Sequence, residues 1–173
     1  DTAIKCIDYA LKMTSDIINA SWGGGNYDPL LLDAIKSANE KGVFIVTAAG
    51  NKGENTDIKP HYPSSYDSPN IISVAATDAL DGLTFQSSFG ENSVHLAAPG
   101  KRIYSTLPGN SYGEMTGTSS ATAFITGALG LLLTQEKNLS IEQIKKRLME
   151  TSIPLESLRG KIKKGGGRVD IFN

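Results

Sequence analysis

Two apolar runs separated by a capped amphipathic segment constrain the fold more than anything else in this sequence. Asp16-Ile-Ile-Asn-Ala-Ser-Trp22 reads as a buried strand closed by Gly23-Gly24-Gly25, and Val43-Phe-Ile-Val-Thr-Ala-Ala49 reads as a second strand. Between them, Asp28 as cap and Pro29 in the first turn predict a helix that runs to about Glu40 and ends at Gly42. Runs that are apolar throughout, rather than alternating, belong to strands covered on both faces. A strand-helix-strand unit of this kind joins its strands in parallel with a right-handed crossover. The expected fold class is therefore α/β, with a mostly parallel twisted sheet flanked by helices.

The rest of the chain extends this pattern less regularly. Asp1 precedes Ile4, Ile7, Ala10 and Leu11 at helical spacing, predicting a capped amphipathic helix in whose core-facing pattern Cys6 is also expected. Residues 71–77 and 94–98 are two further short apolar strands, set in turn-rich sequence. Residues 103–107 and 112–116 flank Pro108-Gly109-Asn110, a hairpin signature. That hairpin leads directly into Gly117-Thr-Ser-Ser-Ala-Thr-Ala123 and a long apolar helical stretch, 124–133. Ser140, with Glu142 and Gln143 in the following turn, caps a third helix to about Thr151. Gly165-Gly166-Gly167 is the one flexible stretch expected, and no repeat or linker divides residues 1–173 into more than one domain.

Charge narrows the partners. Seventeen basic and 18 acidic residues give a net charge of -1, which indicates neither a nucleic-acid footprint nor a polybasic membrane patch. The one basic cluster, Lys161 to Lys164 with Arg159 and Arg168, reads as a solvated loop. A single cysteine excludes an internal disulfide and leaves the compartment open. No run reaches the roughly 18 to 20 apolar residues of a membrane span. There is no signal peptide, although a chain that starts at a helix cap could have lost one.

Three places could carry chemistry, all at the carboxyl ends of predicted strands, where open parallel sheets bind ligands. Ser21-Trp22-Gly23 could let an extended peptide lie against the backbone. Ala48-Ala49-Gly50-Asn51 brings the Asn51 amide to a strand end, free to donate to an oxyanion. Gly117-Thr118-Ser119 puts a hydroxyl where a helix begins, beside free N–H groups and the positive end of the helix dipole. Each has a plainer reading, as turns, a capping residue and a helix cap. Together they supply a nucleophile, an oxyanion donor and a peptide ledge. A serine nucleophile also needs a base, and neither His61 nor His95 stands in a motif suited to that role. A nucleotide-binding reading of the Gly-rich strand ends lacks both a Gly-x-Gly-x-x-Gly turn and a Gly-Lys-Ser/Thr phosphate loop.

Over nearly its whole length the chain resembles the C-terminal part of the subtilisin-like serine proteases. The landmarks, in order, are Asn19-Ala-Ser-Trp-Gly-Gly24, Ala48-Ala-Gly-Asn-Lys-Gly53, Tyr62-Pro-Ser-Ser-Tyr66, Ile72-Ser-Val-Ala-Ala76, Phe89-Gly90, Ala97-Ala-Pro-Gly100, Gly117-Thr-Ser119 and Gly167-Arg-Val-Asp170. That resemblance implies Ser119 as nucleophile, and Asn51 with the Ser119 backbone N–H as oxyanion hole. It implies Ser21, Trp22 and Gly23 as the strand that pairs with a polypeptide substrate, walling the primary specificity pocket together with Ala48, Ala49 and Gly50. His61 would lie near the base of that pocket and, when protonated, disfavour a basic side chain. The resemblance also implies a secreted or cell-surface protein. It allows a structural cation held by carbonyls near Ser64 and Tyr66, and the acidic turn from Glu54 to Asp57 is a lesser calcium candidate; no side-chain metal site is expected.

Departures from the family pattern shape the remaining expectations. Ser120 stands for the usual Met and Ala123 for the usual Pro, a change that a helix's first turn tolerates. The catalytic Asp and His motifs of the family appear nowhere in the chain, so the N-terminal strands of the sheet are missing too. An isolated chain is then expected to be nearly inert, and its strand 16–22 to be an edge that self-associates or pairs with the absent N-terminal part. The alternative is a degenerate, peptide-gripping module without catalysis.

Overall fold

The structure, a computed structural model, describes residues 2–171. In chain order it runs α1 (Thr2–Lys12), β1 (Ile17–Ala20), α2 (Pro29–Glu40), β2 (Phe44–Ala48), β3 (Ile71–Thr77), β4 (Leu96–Pro99), β5 (Ile103–Leu107), β6 (Ser111–Met115), α3 (Thr118–Gln135), α4 (Ile141–Glu150) and a single 3-10 turn at Glu156–Leu158. Strands β1 to β4 form one parallel sheet in sequence order. The α/β class and its parallel sheet are as the sequence predicts. The hairpin β5–β6 stands apart as an antiparallel pair.

All seven residues of β3 and all five of β2 are buried, because helices cover both faces. On one face Phe44, Val46, Ile72, Val74 and Leu96 pack beneath Ala121, Ile125 and Leu129 of α3. On the other, Ile45 and Ile71 meet Ile35 and Ala38 of α2 and Ile7 and Leu11 of α1. Helix α2 starts on its predicted cap, with Asp28 Oδ1 accepting from Leu30 N at 2.9 Å. Helix α4 starts on a full capping box between Ser140 and Gln143.

The two edges of the sheet differ. Along β4, Ala97 N donates to Gly167 O and Val169 N to Ala97 O, so the C-terminal segment closes that edge. No described residue pairs with the outer edge of β1. Beside it, α3 is apolar all round, and Phe124 and Leu131 on its outer side are 45% and 56% exposed. A helix without a polar face is normally covered on every side.

Several expectations change. Cys6 is exposed rather than packed in the core, because the buried stripe of α1 runs through Ile4, Ile7 and Leu11, and Cys6 sits about 100° round the helix from Ile7. The cap expected at Asp1 lies outside the described residues. Gly166 and Gly167 are not a flexible stretch: a Cβ on either would collide with the carbonyl of His95 or Ile153. The neighbouring basic cluster is not simply solvated, since Ile162 is buried and the Lys161 ammonium lies 4.1 Å from the Phe89 ring centroid. Ala123 falls in the second turn of α3 rather than the first, where an alanine N–H can serve the helix and a proline could not.

Candidate active site

Beyond the carboxyl ends of the strands, three segments converge. Gly100 N donates to Thr77 O at the end of β3, and Gly117 N to Gly100 O, which brings the start of α3 over the sheet's end. There Thr118 meets the residue that follows β2. Asn51 Oδ1 accepts from Thr118 N at 2.8 Å and from Thr118 Oγ1 at 2.9 Å, while Gly50 N donates to Thr118 Oγ1 at 3.3 Å. Gly117 makes room for this: a Cβ there would stand 3.3 Å from Asn51 Nδ2.

Because its oxygen is committed twice, the orientation of the Asn51 amide is fixed. Its Nδ2 is left without a protein partner among the described residues, and Asn51 is exposed. The Ser119 backbone N–H, second in α3, also lacks a partner among them. Two donors without partners among the described residues thus lie at the start of the helix that carries Ser119, one on Ser119 itself and one on the amide held against Thr118.

Ser119 and Ser21 exchange hydrogen bonds. Ser119 Oγ donates to Ser21 O at 2.9 Å, and Ser21 Oγ donates to Ser119 O at 2.9 Å. Asn19 Nδ2 donates to Ser21 Oγ at 2.8 Å, and Thr126 Oγ1 on α3 donates to Asn19 Oδ1 at 2.8 Å. Sequence reading gave Asn19, Thr118 and Thr126 no role. Asn19 and Thr118 lie inside quoted motifs, whereas Thr126 shows only as the second of two threonines, Thr122 and Thr126, spaced one helical turn apart.

The predicted substrate residues form a shelf. Trp22 is exposed, Gly24 N donates to Tyr62 O at 2.8 Å, and the rings of Tyr27, Tyr62 and Tyr66 pack on one another beneath. Ala48, Ala49 and Gly50, predicted to wall the pocket, are all buried, so none of the three offers appreciable surface to a ligand in this structure. The His61 imidazole is wedged between the two ledges: a Cβ on Gly23 would stand 2.5 Å from His61 Nε2, and one on Gly50 3.3 Å from its ring. Burial, and secondarily Lys52, hold His61 below the usual histidine range, with Glu54 opposing.

Neither histidine serves Ser119. His95 lies at the other end of the sheet, where its Nδ1 accepts from Ser73 N at 3.0 Å. Burial, then Lys145 and Lys163, push its pKa well below the ordinary value. The acidic turn after the Asn51 loop is engaged elsewhere, with Glu54 paired to Lys59 at 2.8 Å and Asp57 accepting from Ser93 Oγ at 2.7 Å and Asn92 N at 3.0 Å. Among the described residues no three His, Cys, Asp or Glu side chains cluster as a metal site, and no helix is long and apolar enough to cross a membrane.

This geometry agrees with comparison to known proteins. The sequence profile of the subtilase family matches residues 1–170. The chain belongs to the subtilase family. It is 36% identical over 165 residues to subtilisin-like protease 2 of Plasmodium falciparum (isolate 3D7), covering 91% of this chain and 12% of that protein. It is 35% identical over 160 residues to the major intracellular serine protease of Bacillus subtilis (strain 168), covering 88% of this chain and 49% of that one. Among solved structures, the prenylagaramide maturation protease PagA superposes with a TM-score of 0.82 at 26% identity, over 98% of this chain and 64% of the other. This subtilase chain spans half or less of the length of those two sequence relatives. One of the two is named as intracellular, so family membership alone does not imply secretion.

Both histidines bear on stability. Each binds its proton less readily when folded than when unfolded, so the unfolded chain holds more protons below about pH 6.5 and stability falls as the pH drops from there toward the folded values. Denaturant titrations between pH 7.5 and 4.5 should show this loss, with a slope of up to about 1.4 kcal/mol per pH unit for each histidine. His95→Gln should remove one proton's share of the slope; an unchanged slope would contradict the assignment.

Proposed function

We propose that this chain is the nucleophile-bearing C-terminal part of a subtilisin-like serine endopeptidase. The observation that carries the reading is the pair of donors without partners among the described residues, Asn51 Nδ2 and Ser119 N–H, at the start of the helix that carries the Ser119 hydroxyl. In peptide hydrolysis Ser119 Oγ bonds to the scissile carbonyl carbon, its proton passes to a base, and the carbonyl oxygen takes negative charge between those two donors. The leaving amine then departs with a proton, and water releases the acyl group from Ser119. The degenerate, non-catalytic alternative shares the peptide shelf but gives these donors no task.

No group in the described chain can take the proton. Ser119 Oγ donates instead to the carbonyl of Ser21, which is no base. In this reading a histidine and its carboxylate come from a preceding segment, the hydroxyl turns toward them, and the Ser21 carbonyl becomes free to accept a substrate N–H. The same segment would pair with β1 and cover the outer side of α3. The isolated chain should therefore leave Ser119 unlabelled by a fluorophosphonate probe and self-associate in sedimentation, and adding a segment with the family's Asp and His motifs should restore labelling and turnover. Rapid labelling of a monodisperse isolated chain would reject the reading.

His61 sets the depth of the primary pocket. Filling the space between Gly23 and Gly50, its ring leaves room for a small side chain before the scissile bond. With its pKa lowered it is neutral at neutral pH, so repulsion of basic side chains is confined to acid conditions. Peptide-library profiling of the full-length enzyme should show His61→Gly raising kcat/KM for Phe or Leu over Ala at this position by about tenfold or more, the discrimination a few methylenes supply. An unchanged profile would remove His61 from the pocket.

A further inference from the structure

A second site lies at the opposite end of the sheet from Ser119. Two hollows of about 530 and 410 Å³ share a wall formed by Pro69, His95, Lys145 and Lys163. Ser64 and Tyr66, near which the family resemblance allows a cation, line the larger one. Asp57 and Asp67 also line that hollow, but the side chains of the shared wall do not fit a cation. Lys145 brings an ammonium into the same hollow, and His95 presents it with a donor rather than a lone pair.

The tautomer follows from geometry. His95 Nδ1 accepts the Ser73 N–H at 3.0 Å, so in the neutral ring the proton sits on Nε2. His95 is 6% exposed, lines both hollows, and its Nε2 has no partner among the described residues. Protonating Nδ1 would set two donors against each other, which keeps the ring in this form. Lys145 Nζ has one hydrogen bond, a long one of 3.3 Å to Pro69 O, and the Lys163 ammonium has none among the described residues.

Four carboxylates, Asp57, Asp67, Glu142 and Glu150, line the same hollows, but none of them forms an ion pair with Lys145 or Lys163 among the described residues. Asp57 accepts from Asn92 and Ser93, Glu142 accepts from Ser140 Oγ at 2.9 Å, and Glu150 pairs with Lys146 at 3.7 Å. Asp67 and Glu142 attract Lys145 only through space. Burial first, and the charge of Lys163 second, bring the Lys145 pKa down to about 8, against the pull of Asp67 and Glu142. Lys164 adds a further positive charge on the rim of the smaller hollow.

We propose that this wall binds a small oxyanion of the phosphate class, held by Lys145 Nζ, Lys163 Nζ and the Nε2–H of His95. Three donors on one wall match the several acceptor oxygens of such an anion, and charge-assisted hydrogen bonds of this kind are the strong ones. The site is independent of the Ser119 chemistry, so activity is not its readout.

The test is titration calorimetry and thermal unfolding of the full-length protein at pH 7 and constant ionic strength, with inorganic phosphate, phosphoserine, calcium chloride and potassium chloride as separate probes. Saturable phosphate binding with a raised melting temperature is expected. Lys145→Gln and Lys163→Gln should each weaken it at least tenfold, Lys163→Arg should keep it, and melting without phosphate should stay near the parent's. Tighter binding of phosphoserine would support the site and mark the natural ligand as a phosphate ester. Absence of saturable binding, binding as tight as the parent's in either Gln variant, or stabilisation by calcium or potassium beyond that by phosphate would overturn the proposal.

Discussion

The contact on which the site depends is the double hydrogen bond from Thr118 to Asn51 Oδ1. It joins the loop after a buried strand to the first turn of the central helix, two elements 67 positions apart in the chain. One oxygen satisfies a helix-end N–H and a hydroxyl, and by doing so fixes which way the amide points. Without that anchor, Asn51 would be one more exposed side chain on a loop. With it, the amide is held against the first turn of α3 with its Nδ2 free to donate, as the proposed oxyanion role requires.

The frame behind this contact is asymmetric. On the β4 side the C-terminal segment supplies backbone partners and presses two glycines against the His95 and Ile153 carbonyls, so that edge is sealed. On the β1 side the described chain offers an unpaired strand and an apolar helix with Phe124 and Leu131 exposed. Ser119 sits on the open side, tied to β1 through Ser21 and Asn19. The sealed side and the open side of the described chain meet near Ser119. This is consistent with the chain spanning about half of the Bacillus subtilis relative.

Much of this was legible in the sequence, because local chemistry fixed it. The mostly apolar runs of β2 and β3 required cover on both faces, Asp28 and Ser140 marked helix starts by the hydrogen bonds they can make, and Pro29 marked one by its fixed φ and missing N–H. What could not be read was relational. The sequence placed Cys6 inside because it neighbours a buried position, but the face it occupies is decided by which stripe of α1 meets α2. Gly166 and Gly167 looked free until a carbonyl was found against each. The motif around Ser119 drew attention to its hydroxyl, but not to the Thr118 anchor or the Thr126-Asn19-Ser21 chain, since those pairings depend on the placing of α3 over β1.

The most direct measurement is the steady-state kinetics of Asn51→Asp in the full-length protein. Aspartate keeps an oxygen for Thr118 N and Oγ1 but replaces the Nδ2 donor with a second acceptor. The account predicts kcat lower by about 10²–10³, the loss known for one such donor in subtilisin itself, with KM within a few-fold and the melting temperature near the parent's. A kcat within a factor of about two of the parent, in a folded variant, would contradict the oxyanion role of Asn51 and with it the reading of this site.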